Sequence, residues 1–209
     1  MSAIESAIKR VVDVGASLFA IIILSPLFLV VALLIKLDSK GPALFCQRRL
    51  GKDARVFGCY KFRTMFVGAP DLRNSDGSTF NSHDDPRVTR IGRLLRRASL
   101  DELPQFFNVL SGKMSLVGPR PDQEDQIRYY TVVERLRLTV KPGLTGLAQI
   151  NGRNSISWER RKQLDLEYVR SQSLWLDFVI LLQSLPYVLI RRDVFVTQSS
   201  NEADTRIPG

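Results

Sequence analysis

Two adjacent acids, Asp101 and Glu102, stand inside "ASLDELPQ" (residues 98–105), after a run of arginines and before a proline. Ser99 and Glu102 have the spacing of a capping box ahead of an apolar run that includes Leu103, Phe106, Phe107, Val109 and Leu110. With Ser99 as the cap, Pro104 falls where an intrahelical N–H is first needed; with Asp101 as the cap, it stays in the tolerated first turn. Either choice puts Asp101 at a helix N-terminus, and a structural cap would account for this stretch taken alone. The neighbours add a chemical reading. Arg96 and Arg97 lie just upstream, and "SLVGPRP" brings Arg120 onto a Gly-Pro turn just downstream. A helix N-terminus favours a carboxylate and a bound phosphate alike. An ionised carboxylate among arginines suits attack on phosphorus, and arginine clamps with a divalent metal serve phosphoryl transfer. Glu102 would assist in proton handling or position the metal.

The elements that must hold these groups are legible in pattern. "ALFCQRRLGKDARVFGCYKFRTM" alternates apolar and basic residues around a Gly-Lys-Asp turn and predicts a hairpin. Residues from about Val67 to Pro86 have loop composition. A helix follows, with Arg90, Arg93 and Arg97 on one face and Ile91, Leu94 and Leu95 on another. Within "YKFRTM", Lys61 and Arg63 admit both a solvated structural strand and a contact to lipid phosphate or nucleotide. The glycines of "KPGLTGLAQINGRN" serve turns or let backbone approach a substrate phosphate, with Arg153 as the charged contact. Asp165 and Tyr168 fit either the site or a helix surface.

Residues 14–35, "VGASLFAIIILSPLFLVVALLI", carry no charge, and roughly 20 such residues cross a bilayer core as a helix. A signal peptide has a shorter apolar region, about 7–15 residues, and a small-residue cleavage site, so this segment is expected to stay in the mature protein. Ser25-Pro26 near its centre removes a backbone donor and predicts a kink, with Ser25 placed to satisfy a freed carbonyl. Lys9 and Arg10 precede the segment, and Lys36, Lys40, Arg48 and Arg49 follow it. Basic residues at both ends suit two cytoplasmic flanks, and so a helix-break-helix that dips into one leaflet and returns. A kinked transmembrane helix is the alternative. A second apolar stretch, Leu174 to Arg192, is interrupted by Asp177, Gln183 and Pro186. It suits an amphipathic interfacial helix with Trp175 and Tyr187 at headgroup level, or else a core helix.

The 209 residues suffice for one core plus a membrane element, and 30 Lys+Arg against 21 Asp+Glu give a formal charge of +9. That charge favours an anionic partner: nucleic acid, an acidic membrane surface or a phosphorylated substrate. Cys46 and Cys59 form no CxxC or disulfide framework, and the single His83 in a polar loop offers no zinc cluster. A reducing, cytoplasmic setting follows.

Several motifs in one order carry a resemblance: "ILSPLFL", "YKFRTM", "GRLLRRASLDELPQFFNVLSGKMSLVGPRP", "VKPGLTGLAQINGRNSISW" and "DLEYV". The chain resembles the small monotopic phosphoglycosyl transferases, bacterial sugar transferases that initiate glycoconjugate assembly on a polyprenol phosphate. The resemblance implies that Asp101 of the Asp101-Glu102 dyad attacks the sugar-bearing phosphate of a UDP-sugar. UMP leaves, and polyprenol phosphate takes the phosphosugar from the aspartate. It implies Mg²⁺ near Asp101 and Glu102, phosphate contacts from Arg96, Arg120 and Arg153, and a re-entrant helix broken at Ser25-Pro26.

The fold expected is mainly α with small β content, monotopic, with a re-entrant membrane helix over 1–40, a cytoplasmic catalytic domain with interfacial helices over 41–197, and a flexible tail over 198–209. Because the chain begins at the membrane segment, it resembles the minimal catalytic form. The expected partners are the UDP-sugar, polyprenol (undecaprenyl) phosphate and inner-membrane lipids at the cytoplasmic face. Nucleic acid is not expected, and a homo-oligomer is compatible. Two rivals stand beside this: a membrane-tethered basic binding or scaffold protein, and a glycosyltransferase that releases UDP and uses the acids only as metal ligands.

Overall fold

The computed structural model describes residues 1–72, 80, 82, 85–152 and 155–190, with side chains as far as Pro186. His83, Arg153, the Tyr187 side chain and the 198–209 tail lie outside the described residues. Among the described residues the chain is mainly helical, with four short strands and one long apolar N-terminal helix, α1 (Ala3–Asp38).

Ser2 and Glu5 close a capping box at the start of α1, with N–H donations of 3.2 and 2.7 Å. The helix continues through Pro26 as one element, where the sequence suggested two helices and a break. Proline removes a single N–H, and the carbonyl it orphans, that of Ile22, accepts from Ser25 Oγ at 2.8 Å. Leu18, Phe19, Ile22, Ile23, Leu29, Val30 and Leu33 are all exposed, an apolar surface that water alone would not tolerate at this extent. The same helix carries polar anchors. Lys9 ion-pairs with Asp177 and donates to the Val117 carbonyl at 3.0 Å. Arg10 donates to the carbonyls of Val109 and Leu110 at 2.7 and 2.8 Å. Asp13 is buried and accepts from the Leu116 N–H and the Ser115 hydroxyl.

The predicted hairpin forms from β1 (Leu44–Leu50) and β2 (Val56–Phe62), antiparallel and in register from Leu44 against Phe62 to Leu50 against Val56. Its turn uses left-handed backbone at Asp53 and Ala54. The basic helix is α2 (Arg90–Arg97), capped by Thr89 Oγ1, which accepts from the Gly92 N–H at 3.0 Å. A Cβ at Gly92 would lie 2.0 Å from the Thr64 carbonyl oxygen, so only glycine lets α2 sit this close to the end of β2. Leu95 is buried against Val31, Ile35 and Phe62, but Leu94 is exposed, so the apolar face is narrower than its leucine count suggests.

Next come α3 (Gln105–Leu110), β3 (Ser115–Val117), β4 (Gly143–Thr145), α4 (Leu147–Ile150), α5 (Trp158–Ser171) and α6 (Leu174–Ile190). Strands β3 and β4 pair in parallel. A Cβ on Gly143 would lie 2.1 Å from the Gly118 nitrogen, so this glycine is needed for close backbone approach. The main core gathers Phe57, Cys59, Val109, Met114, Leu116, Val117, Ile150, Tyr168 and Ile180 from both strand pairs, α3, α4, α5 and α6. The core reading of the second apolar stretch holds for one face of α6, and the opposite face is apolar and exposed. Asp177 and Ile180 point inward, whereas Trp175, Phe178, Leu182 and Leu185, at i, i+3, i+7 and i+10, are exposed.

Candidate active site

The acidic pair does not cap a helix. Asp101 and Glu102 lie in a 3₁₀ turn, Leu100–Glu102, entered through Ser99 in left-handed backbone (φ 54°), and the N-cap position of α3 is Pro104. The Ser99–Glu102 capping box is not made, because Glu102 is engaged elsewhere. Its Oε1 accepts from Lys61 Nζ at 2.8 Å and from one Arg120 nitrogen at 2.5 Å, and its Oε2 from the other at 3.2 Å. Two separate segments therefore converge on a carboxylate carried by a third. Lys61 arrives on β2, alternating with the buried Phe62. Arg120 arrives on the Pro119–Pro121 loop, where its own carbonyl accepts from Arg137 at 2.9 Å.

Asp101 is half-buried, and among the described residues no donor lies within hydrogen-bond distance of its carboxylate. Burial pushes the Asp101 carboxyl up to about 6, with the Glu102 charge adding to it and Lys61, Arg96 and Arg120 opposing. For Glu102 burial acts in the same direction, but Arg120 and Lys61 overcome it and hold this carboxyl well below its usual range. The pair is thus split into one committed counter-ion and one unengaged, more basic carboxylate. Arg96 stands on the Asp101 side, where its Nε donates to Thr64 Oγ1 at 3.0 Å.

Of the residues singled out from sequence, Lys61, Arg96, Arg120, Asp101 and Glu102 come together. Arg63 is buried and occupied elsewhere: it donates to the Pro42 carbonyl at 2.6 Å and to the Ser39 hydroxyl and carbonyl at 2.8 and 2.9 Å, which closes the C-terminal end of α1. Asp165 and Tyr168 are buried and bonded to other groups. Asp165 pairs with Arg137, and the Tyr168 hydroxyl donates to Asp177 at 2.7 Å and to the Val117 carbonyl at 3.2 Å.

Two site residues escaped the sequence reading. Arg137 is buried and bonded to Asp122, Asp165, Tyr130 and the Arg120 carbonyl. Arg49 donates to the Pro121 carbonyl at 2.9 Å and flanks Arg120 and Cys59. A period-2 reading of β1 held a signal for it: Gln47 and Arg49 share the more buried face, and Arg48 faces out.

As a cation site, the donor set is sparse. Among the described residues no group of three or more acidic, histidine or cysteine side chains could hold a metal ion. Magnesium is commonly held by one or two carboxylates together with substrate phosphates. Asp101, with no hydrogen-bond donor on it, fits that demand, while Glu102 shares both oxygens with Lys61 and Arg120.

A model of the bacterial sugar transferase family matches residues 4–191. The chain belongs to that family. Among its bacterial sugar transferase relatives, the undecaprenyl-phosphate glucose phosphotransferase of Komagataeibacter xylinus is 47% identical over 200 residues, covering 90% of this chain and 36% of that protein. The undecaprenyl-phosphate galactose phosphotransferase of Salmonella typhimurium is 40% identical, covering 89% of this chain and 41% of that protein. The exopolysaccharide production protein ExoY of Rhizobium meliloti is 41% identical, covering 88% and 86%. The chain thus spans well under half of the first two relatives and most of the third.

Proposed function

We propose that the protein transfers a sugar 1-phosphate from a UDP-sugar to undecaprenyl phosphate, initiating polysaccharide or other glycoconjugate assembly. The split of the acidic pair carries this reading. One Asp101 oxygen attacks the sugar-bearing phosphorus, the bond to the bridging oxygen breaks, and UMP leaves with the electron pair. An oxygen of the acceptor phosphate then attacks the same phosphorus, and Asp101 departs as a carboxylate. A carboxyl poised near 6 is ionised at neutral pH yet more basic than an ordinary aspartate, which favours the attack. Glu102, held ionised, has no proton to give; it keeps Lys61 and Arg120 in place against the donor diphosphate. Arg96 serves the same diphosphate from the Asp101 side, and Arg153 is assigned a phosphate contact by family resemblance alone. Mg²⁺ held by Asp101 and the donor's phosphates would neutralise charge on the diphosphate.

The apolar helix is proposed to dip into the cytoplasmic leaflet of the inner membrane and return. Residues 10 and 28 of a straight helix stand about 27 Å apart, yet both reach α3, whose six residues span about 9 Å. Arg10 binds the Val109 and Leu110 carbonyls, and the Phe28 ring lies 6.0 Å from that of Phe107. Lys9 and Ser39, near the two ends, both bind the domain that carries the site. The exposed face of α6 would rest at the headgroups. Both arrangements bring a lipid-borne phosphate and a soluble nucleotide to one plane.

The test is nucleotide release by the detergent-solubilised protein with Mg²⁺, undecaprenyl phosphate and a panel of UDP-sugars. UMP is expected from one donor, and Asp101→Asn should abolish it. Release of UDP would make the protein an ordinary glycosyltransferase, and substantial turnover by Asp101→Asn would remove the covalent step.

A further inference from the structure

Beside Glu102 lies a cleft lined by Arg49, Cys59, Lys61, Gln105, Arg120 and Pro121. Its charge is unbalanced. Lys61 and Arg120 share a single carboxylate, Glu102. Arg49 is satisfied only by neutral acceptors, the Gln47 amide oxygen at 3.0 and 2.5 Å and the Pro121 carbonyl, and no carboxylate of a described residue lies within ion-pair distance of it. The nearby Asp122 is bound to Arg137, Tyr130 and Trp158 instead. With Asp101, ionised at neutral pH and acting on Lys61 and Arg120, three cations meet two anions and leave one positive charge in a half-buried cleft, to which a phosphate monoester would bring about −1.5 to −2. Burial and the Arg120 charge outweigh the Asp122 and Glu102 charges and disfavour the charged form of Arg49, so an anion brought by a ligand would stabilise this cation.

We propose that this cleft is a phosphate-monoester subsite, held by Arg49, Lys61 and Arg120, which the departing UMP and the incoming lipid phosphate occupy in turn. The proposal rests on the two-step reading above. Attacking and leaving oxygens stand roughly in line at phosphorus. In the first step the leaving oxygen is UMP's, opposite Asp101; in the second, Asp101 leaves and the acceptor oxygen enters opposite it. The two monoesters therefore need one and the same place beside the dyad. Arg49 binds charge there without contacting the sugar.

The experiment is binding, free of turnover, to the full-length protein in detergent, by calorimetry with UMP, farnesyl phosphate and uridine. In the unaltered protein, UMP and farnesyl phosphate should displace each other; simultaneous binding of both would overturn the proposal whatever any variant does. Arg49→Gln should weaken both monoesters at least tenfold and leave uridine unchanged. Equal loss for uridine would make Arg49 a scaffold residue, and loss for UMP alone would end the shared subsite. Arg49→Lys should recover most of the affinity for both, because the side chain's fork is spent on Gln47 and Pro121 and its charge is what faces the cleft. If donor turnover fails while these results hold, the reaction assigned above falls and the subsite stands; unchanged affinities with intact UMP release would give the converse.

Discussion

Replacing Arg137 with methionine tests whether the loop that presents Arg120 is held by a buried ion network. Arg137 is buried and pairs with both Asp122 and Asp165, stacks 5.3 Å from the Tyr130 ring centre and donates to the Arg120 carbonyl. Methionine fills similar space but strands two carboxylates. Asp165 already has one oxygen without a partner, and it loses the only cation bonded to it among the described residues. Breaking a buried pair from one side costs about 3–5 kcal/mol. For a chain of this size each kcal/mol moves the melting temperature by about 2–4 °C, so roughly 6–20 °C is expected. Trp158, whose Nε1 donates to Asp122 at 3.3 Å, makes tryptophan fluorescence the natural readout, scanned at one rate in detergent. The loss depends on pH in a stated direction. Burial pushes Asp165 up to about 6 even beside Arg137; without that cation Asp165 rises further, and Asp122 loses a charge that holds it below its usual range. An acid raised above its unfolded value destabilises the fold at higher pH and recovers as it protonates. The deficit of Arg137→Met should therefore be largest near pH 8 and shrink toward pH 5, and adding Asp165→Leu should recover part of it at pH 8. A melting temperature within about 2 °C of the unaltered protein at pH 8, or a deficit that grows on acidification, would refute the network's role.

At limiting Mg²⁺, kcat/KM for the donor should fall on the acid side with a midpoint near 6, the value to which burial pushes Asp101; a flat profile from pH 7 to 5 would mean an ordinary carboxyl. Glu102→Gln removes a negative charge that raises Asp101 and frees Lys61 and Arg120, so the same limb should move to lower pH. Ser25→Ala should lower the melting temperature of the detergent-solubilised protein by leaving the Ile22 carbonyl unpaired in apolar surroundings, a cost of about 1–3 kcal/mol. The same change made together with Pro26→Ala should cost much less, because residue 26 then supplies the N–H; equal losses in both backgrounds would show that the hydroxyl is not what satisfies that carbonyl.

What the sequence determined by itself was periodic or compositional. The uncharged run of residues 14–35 specified an apolar helix, the alternation around Gly51-Lys52-Asp53 specified the hairpin, and the spacing of Arg90, Arg93 and Arg97 specified α2. Motif order pointed to the family and to Asp101, Glu102, Arg96, Arg120 and Lys61, because local spacing is all that such a pattern requires. The tertiary structure decided how the acids divide. Ser99 to Glu102 reads as a capping box in one dimension, and only the arrival of Lys61 from β2 and Arg120 from the far loop draws Glu102 away from that role. Arg63, two residues from Lys61 and chemically its near equivalent, is turned to the end of α1, because neighbouring segments and not residue type set which acceptors it meets. Arg137 was invisible for the same reason, because its partners lie 7 to 28 residues away and no local pattern records them, and Arg49 showed only as an inward position of β1, its Pro121 partner lying 72 residues on.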